Sequence, residues 1–205
     1  MLLNILTGMM CTLLIFFAYL VGSIPIGVLL ARLKGKDPRK IGSGNIGATN
    51  VMRSAGKVLG ILTLAGDVLK GFIPTFIAMR LGEPEFVIAL VGLAVFLGHL
   101  FPVFLKFKGG KGVATGAGVF LAINYPVILI SFIIFVIVLL IWKYVSLGSL
   151  VGTGLIPLSF FLFKSPLEYI LLSLLLACGV FIKHKDNIRR LLAGTENKVG
   201  LGKKS

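Results

Sequence analysis

The chain has 205 residues, of which 57% are hydrophobic and 14% charged, and its formal net charge is +14. Its mean hydropathy of +1.04 lies far above the usage of soluble globular domains. The apolar residues come in runs of about 20, the length that crosses a bilayer, and this excludes an ordinary soluble domain. We expect a single polytopic membrane domain over residues 1–205.

The apolar runs predict seven crossings in chain order, at 2–31, 57–79, 86–105, 112–123, 126–142, 147–163 and 167–182. No basic segment precedes the first run, so we expect it to remain as a span and not to act as a cleaved signal. The fourth run is too short for a full crossing and predicts a half-length or re-entrant helix. Gly148, Gly152, Gly154 and Pro157 predict that the sixth span is broken or bent. The predicted fold is an all-α integral membrane protein with seven transmembrane helices, some short or broken.

The positive charge is concentrated on one side of these spans. The connecting segments 32–57, 106–111, around 143 and 183–205 hold 7, 3, 1 and 7 Lys and Arg residues, 18 of the chain's 21. The positive-inside rule makes this side cytoplasmic, which places the N-terminus outside and the C-terminus in the cytoplasm. Topology and lipid headgroups explain the charge, so no nucleic-acid partner is needed. The two cysteines lie in apolar runs without metal-ligand spacing, so we expect neither metal nor cofactor.

Three segments on the basic side have residues suited to phosphate. In the first, residues 41–53, glycines alternate with small polar residues, and such backbones can form an anion-binding nest. Arg53, expected to open the next helix, can bind phosphate through two parallel hydrogen bonds. A flexible connector is the alternative. The candidate residues here are Ser43, Gly44, Asn45, Thr49, Asn50 and Arg53.

The second segment, 107–118, reads FKGGKGVATGAG. It is not a Walker A motif, because glycine and not Ser or Thr follows Lys111. A general phosphate cradle of backbone donors and one lysine remains possible, with a tight turn carrying a positive-inside lysine as the alternative. The candidate residues are Gly109, Gly110, Lys111, Gly112 and Thr115.

The third segment follows the last span. His184 and Asn187 are three residues apart and would share one face of a helix. His184 could donate hydrogen bonds to phosphate or act as an acid or base. A lipid-facing basic anchor is the alternative, and it is the expected role of Lys185, Arg189 and Arg190.

Polar residues also occur within the spans. Asp67 and Lys70 are one helical turn apart, and we expect them to form an internal pair with a structural role. His99 precedes Pro102 at the cytoplasmic end of the third span, where it either faces an internal cavity or caps the helix, and it is a candidate substrate-binding residue.

At these residues the chain resembles PlsY, the bacterial family of acyl-phosphate:glycerol-3-phosphate acyltransferases. The matching stretches are 22–27, 42–50 with Arg53, 98–99 with 102–104, 107–115, and 184–187 with Glu196. They run almost end to end in family order, and the combination is far more specific than any one piece.

The resemblance implies a seven-helix membrane enzyme of phospholipid synthesis, with its N-terminus outside and its active site facing the cytoplasm of a bacterial cell. It implies acyl transfer from acyl phosphate to the 1-hydroxyl of sn-glycerol 3-phosphate, which yields lysophosphatidic acid and phosphate. It also implies a partner phosphate acyltransferase, PlsX, that supplies the donor. The sequence offers neither a G-x-S-x-G nucleophile elbow nor a His-x4-Asp pattern, so catalysis should rest on positioning and charge stabilisation.

We therefore expect Ser43, Arg53, Lys111, His184 and Asn187 to bind glycerol 3-phosphate and the donor phosphate. The backbone of residues 109–112 should approach the donor closely, while Asn45, Thr49 and Asn50 shape the first segment and Glu196 holds the C-terminal segment. The attacking hydroxyl's proton passes either to a donor phosphate oxygen or to His184. Two functions from other classes remain: an organophosphate transporter and a non-catalytic membrane anchor.

Overall fold

The computed structural model describes residues 2–199, with side chains from residue 8 onward. Residues 1 and 200–205 lie outside the described part, and so do the two chain ends whose sides of the membrane are predicted above. Within the described residues the secondary structure is helical. The helices are α1 (Leu2–Ser23), α2 (Ile26–Arg32), α3 (Ala48–Ala55), α4 (Lys57–Arg80), α5 (Glu85–Leu100), α6 (Val113–Ile123), α7 (Tyr125–Trp142), α8 (Val145–Leu162), α9 (Leu167–Lys183) and α10 (Lys185–Leu192), with a 3-10 turn at Val103–Leu105.

The helices form two compact units, Met1–Ile123 and Asn124–Ser205. In the first unit α1 packs against α5, and α4 packs against α6 and α3. Small residues allow these close contacts: a Cβ at Gly22 would meet the Val95 carbonyl, and one at Gly71 would meet the Thr115 carbonyl. Helices in lipid associate through such small residues, because apolar burial gives no net drive there.

Prolines set the interruptions in the first unit. The predicted span 2–31 is divided at residues 24–25, where Pro25 has no N–H group to continue the ladder of α1. The predicted span 86–105 ends as an α-helix at Leu100, and Pro102 then leads into the 3-10 turn. Both interruptions bring main-chain polar groups to the end of the helix bundle where the first two polar segments lie.

Five stretches of the described chain are long and apolar enough to cross a membrane, at Gly8–Arg32, Lys57–Arg80, Glu85–Leu105, Tyr125–Trp142 and Val145–Leu162. A sixth results if α9 and α10, which meet at a bend of 62°, count as one span. The short fourth segment is confirmed: α6 has 11 residues, or about 16 Å at 1.5 Å per residue. That is about half the hydrocarbon thickness of a bilayer. The count of seven crossings stays a prediction.

Of the two alternatives for the sixth span, the break is wrong, because α8 is one continuous helix over Val145–Leu162, and the bend stays a prediction. Its glycines serve close packing in the second unit. A Cβ at Gly148 would stand 2.9 Å from the Phe135 ring, and one at Gly152 would stand 3.0 Å from the Ser131 carbonyl. The Ser131 hydroxyl also donates to the Gly152 carbonyl at 3.0 Å. Pro157 lies inside the helix without ending it, as transmembrane helices tolerate.

The second unit has an apolar exterior on α7. Large side chains there are widely exposed, with Leu140 at 63% and Ile141 at 62% of their full accessibility. A soluble monomer rarely leaves so continuous an apolar surface uncovered, whereas lipid covers it without cost. This surface fits an integral membrane protein.

Candidate active site

One buried side chain organises the first polar segment. Asn50, in the first turn of α3, is only 2% exposed. Its amide Nδ2 donates to the carbonyls of Pro38 at 2.7 Å, Ile41 at 3.0 Å and Asn45 at 2.8 Å. Its Oδ1 accepts the Ser43 N–H at 2.9 Å. Asn50 therefore fixes the path of the loop before α3, as the prediction that it shapes this loop expected. Both hydrogens of its amide group are used in bonds to the protein.

The candidate binding groups of this segment lie on the outside of the loop. Ser43, Gly44, Thr49 and Arg53 are exposed, and Asn45 is half-buried. Gly42 and Gly44 have φ of 64° and 71°, a left-handed backbone on both sides of Ser43 that favours glycine. Arg53 lies in the last turn of α3 and does not open the next helix, because α3 already begins at Ala48.

The loop carries one strong local ion pair that the sequence reasoning missed. The Arg39 guanidinium contacts the Asp37 carboxylate at 2.7 Å. The hydrogen bond from Arg39 lowers the pKa of Asp37 to about 2. Only the i, i+2 spacing of opposite charges signals such a pair, and that spacing is common in exposed loops. The pair uses part of the loop's basic charge internally.

The second segment packs its glycines against the end of α5. The Gly110 N–H donates to the His99 carbonyl at 3.1 Å. A Cβ at Gly109 would meet that carbonyl, and one at Gly110 would meet the His99 ring. Gly112 has φ of 84° and lies against the Phe96 ring. Packing alone thus requires glycine at these positions, in addition to any approach to phosphate.

Lys111 and Thr115 of this segment differ in accessibility. Lys111 is half-buried. Thr115, predicted to bind substrate, is 0% exposed in α6, and its hydroxyl oxygen has no hydrogen-bond partner within the described chain. A side chain so enclosed does not reach an external ligand in this conformation, so Thr115 is a residue of the α4–α6 packing.

Asp67, Lys70 and His99 form a buried cluster beside the second segment. Lys70 Nζ lies 2.9 Å from Asp67 Oδ1, so the two residues predicted to pair are in contact. His99 Nδ1 lies 3.6 Å from the same carboxylate oxygen. Lys70 also donates to the Ile24 carbonyl at 3.1 Å, in the interruption between α1 and α2. His99 therefore faces inward toward Asp67 and is 4% exposed, a buried polar contact that neither the cavity placement nor the helix cap had specified, and it does not reach an external substrate in this conformation.

The third segment is organised by Glu196, within the second unit. Its Oε1 accepts from Asn187 Nδ2 at 2.8 Å and from the Ser146 hydroxyl at 3.1 Å. Its Oε2 accepts from Arg190 Nε at 2.7 Å. These contacts tie the chain after α10 to α8 and α10, as expected of a residue that holds the C-terminal segment. Arg190, expected to be a lipid anchor, has this internal role, and no local pattern singled out Ser146.

His184 lies at the bend between α9 and α10. It is buried, and its Nδ1 lies 2.8 Å from the Val180 carbonyl. Since a carbonyl only accepts, Nδ1 carries the proton, and in the neutral ring Nε2 then has the lone pair. The neutral imidazole is thereby set to accept a proton at Nε2, and only the imidazolium form can donate there. Asn187, one turn further along, is also buried.

Comparison with known proteins identifies the family. The family model described as glycerol-3-phosphate acyltransferase matches residues 12–194. The chain is 53% identical over 184 residues to the glycerol-3-phosphate acyltransferase of Geotalea daltonii, covering 90% of this chain and 95% of that protein. It is 45% identical over 186 residues to that of Aquifex aeolicus, covering 90% and 97%.

Two solved structures have the same fold. Both are crystal structures of PlsY (YgiH), an integral membrane glycerol 3-phosphate acyltransferase, in its glycerol 3-phosphate form and its lysophosphatidic acid form. Each is 43% identical to this chain, with TM-scores of 0.91 and 0.88. The first covers 93% of this chain and 96% of the PlsY chain. The resemblance seen in the sequence is confirmed: this chain belongs to the glycerol-3-phosphate acyltransferase family and is a PlsY-like integral membrane acyltransferase.

Proposed function

We propose that the protein transfers a fatty acyl group from acyl phosphate to the 1-hydroxyl of sn-glycerol 3-phosphate and releases lysophosphatidic acid and inorganic phosphate. The observation that carries this proposal is the first segment, where Asn50 fixes the loop while Ser43 and Arg53 remain exposed on the basic face. The family match spans this segment, the second segment and His184 with Asn187. Glycerol 3-phosphate and lysophosphatidic acid are also the ligands for which the two PlsY forms are named.

The substrate contacts follow from the donors available. Arg53 supplies a planar fork suited to a phosphate, and Lys111 supplies a point charge. Ser43, His184 and Asn187 complete the set that binds glycerol 3-phosphate and the donor phosphate. Backbone N–H groups near Gly110 approach the donor, and Gly44, Asn45 and Thr49 support the first loop.

The chemistry requires no covalent enzyme intermediate. Acyl phosphate is a mixed anhydride, so the glycerol 3-phosphate hydroxyl oxygen attacks the acyl carbon and the phosphate oxygen leaves with the bonding electrons. Positioning and charge stabilisation then supply the acceleration. The hydroxyl proton passes to an oxygen of the departing phosphate, which makes the reaction substrate-assisted.

His184 is the alternative proton acceptor, because its Nδ1 bond to Val180 leaves the lone pair on Nε2. A His184→Gln variant separates the two routes. Nearly full kcat would favour substrate assistance. A loss of about a hundredfold or more, the range typical of a general base, would support His184.

The proposed setting is the bacterial cytoplasmic membrane, with seven crossings, the N-terminus outside and the active site facing the cytoplasm. The donor would come from a phosphate acyltransferase partner, PlsX. Single cysteines in place of Lys36 and Lys164, with Cys11 and Cys178 replaced by serine, test the orientation in intact cells. A membrane-impermeant maleimide should label position 164 and spare position 36, and the reverse pattern would contradict this topology.

The activity is tested by phosphate release from palmitoyl phosphate in detergent, with palmitoyl-CoA in parallel. We expect release to require glycerol 3-phosphate, to form lysophosphatidic acid, and to be lost in Arg53→Ala. Acylation from palmitoyl-CoA alone would refute the donor assignment. Saturable glycerol 3-phosphate uptake into liposomes without acylation would instead support a transporter.

A further inference from the structure

We infer that the buried triad of Asp67, Lys70 and His99 positions the glycine loop, residues 109–112, for the donor phosphate. None of the three contacts substrate in this role: they act through the backbone of the loop. The inference rests on the proposed function, in which this loop approaches acyl phosphate.

The triad lies entirely inside the first unit. Asp67, Lys70 and His99 are 3%, 5% and 4% exposed. Asp67 Oδ1 is shared, with Lys70 Nζ at 2.9 Å and His99 Nδ1 at 3.6 Å. One carboxylate oxygen thus contacts both the lysine from its own helix and the histidine from α5.

His99 connects the triad to the glycine loop. The His99 carbonyl accepts the Gly110 N–H at 3.1 Å, and the His99 ring fills the space where a Cβ of Gly110 would stand. The backbone of Gly109 rests on the same carbonyl. The loop therefore lies directly on His99, and a rotation of the ring would displace Gly110.

Lys70 anchors the other end of the triad. Lys70 Nζ donates to the Ile24 carbonyl at 3.1 Å, in the interruption between α1 and α2. The triad therefore joins that interruption, α4 and α5 to the glycine loop. These are the segments whose relative placement fixes the loop in space.

The ionisable groups of the triad serve the orientation of the His99 ring more than stability. Well-packed apolar residues often replace a buried ion pair without loss of stability, so stability alone does not require charge here. The electrostatic contact between His99 Nδ1 and Asp67 Oδ1, at 3.6 Å, favours one ring orientation, whereas apolar packing permits several. The triad supplies that orientation to the side chain that lies directly behind Gly110.

The decisive variants separate positioning from folding. Asp67→Asn combined with Lys70→Met removes both charges at nearly constant shape, so no unpaired charge is left buried. His99→Leu removes the ring nitrogens, and His99→Asn restores a donor close to the position of Nδ1. Thr63→Val is the matched control, because Thr63 is fully buried on the same helix and its hydroxyl donates to the Leu59 carbonyl of that helix.

Two readouts are needed: the KM values for acyl phosphate and for glycerol 3-phosphate, and hydrogen exchange at the Gly110 amide. For the double variant and His99→Leu we expect about a tenfold rise in the acyl phosphate KM, equivalent to the loss of one good hydrogen bond. The glycerol 3-phosphate KM should change less than about twofold. Gly110 exchange should accelerate, His99→Asn should recover most of the effect, and Thr63→Val should show neither change.

Unchanged Gly110 exchange and an unchanged acyl phosphate KM in both variants would overturn the inference. Equal rises in both KM values, together with a lower unfolding temperature and faster exchange throughout α4 and α5, would also overturn it, because the triad would then be purely structural. If the unaltered protein does not use acyl phosphate, the proposed function fails. Hydrogen exchange at Gly110 still tests the positioning in that case.

Discussion

Replacing Asn50 by aspartate should release the first loop while keeping the size and shape of the side chain. The carboxylate retains an oxygen to accept the Ser43 N–H, which Asn50 now accepts at 2.9 Å. It loses both amide hydrogens, which now serve the carbonyls of Pro38, Ile41 and Asn45 at 2.7–3.0 Å. A carboxylate oxygen would then face three carbonyl oxygens with no donor between them.

The magnitude follows from the two lost donors. Leaving a buried polar group unsatisfied costs about 1–3 kcal/mol. Two such losses at a site that is 2% exposed give an expected cost of about 3–4 kcal/mol, partly offset by water entering the opened loop. At about 1.4 kcal/mol per factor of ten, the closed loop becomes two to three orders of magnitude less favoured relative to open forms.

Limited trypsin digestion measures this directly, because Arg39 and Lys40 lie within the clamped loop. We expect cleavage there to accelerate sharply in Asn50→Asp, and kcat/KM for acyl transfer to fall with it. Asn45→Asp is the matched control, since it adds the same charge to the same loop without removing the clamp. Unchanged cleavage in Asn50→Asp, accompanied by a higher KM for glycerol 3-phosphate, would refute this reasoning and make Asn50 a substrate ligand.

Further predictions concern the other segments and the loop charge. Gly110→Ala should abolish most activity, because its Cβ would occupy the space of the histidine ring behind it, whereas Gly8→Ala, which meets nothing within 4 Å, should leave turnover unchanged. Glu196→Gln should lower the unfolding temperature, mainly because an amide nitrogen in place of Oε2 cannot accept from Arg190 Nε, and in Arg190→Ala the same change should have a smaller effect. The folded pKa of Asp37, about 2 against an ordinary 3.8, means that its pair stabilises the loop fully above about pH 4 and is lost as the pH falls toward 2. Carboxyl chemical shifts recorded through an acid titration check this.

The membrane character and the approximate spans could be predicted because length and apolarity alone decide them. A run of about 20 apolar residues has few alternatives to a bilayer crossing. The short fourth segment could also be predicted, since a helix of 11 residues does not reach across a bilayer. Pro25 illustrates the limit: a continuous apolar run hid an interruption that the missing N–H of proline imposes.

The error at α8 has a different physical origin. Glycine weakens a helix in water, and the same residue allows two helices to approach closely in a membrane. Gly148 and Gly152 serve the second purpose, against Phe135 and Ser131. Sequence composition does not distinguish the two uses, because the difference lies in a partner helix that the glycine itself does not specify.

The candidate residues could be recognised from their chemical type, but the sequence did not show which of them are buried and hold the loop and which are exposed. A buried Asn and an exposed Ser in the same loop look alike in a sequence, and only the direction of their hydrogen bonds separates them. Asn50 bonds inward to the loop carbonyls, whereas Ser43 offers only its backbone N–H to that clamp. Contacts over long sequence separations, such as Ser146 with Glu196, have no local signal at all.

Each polar segment is organised by one polar residue, with a buried side chain, that contacts the protein itself. Asn50 satisfies the backbone of the first loop, His99 supports Gly110 in the second, and Glu196 gathers Asn187 and Arg190 in the third. In the proposed reaction the acyl phosphate needs little chemical activation, so catalysis would depend mainly on how closely the reacting groups are placed. The residues that hold the segments, which we call organisers, therefore affect catalysis as much as the residues that bind substrate. Substitutions in the two classes should have different effects on the kinetics and on loop order. Removing a proposed ligand such as Arg53 should change substrate affinity while loop order is retained, whereas removing an organiser should change both.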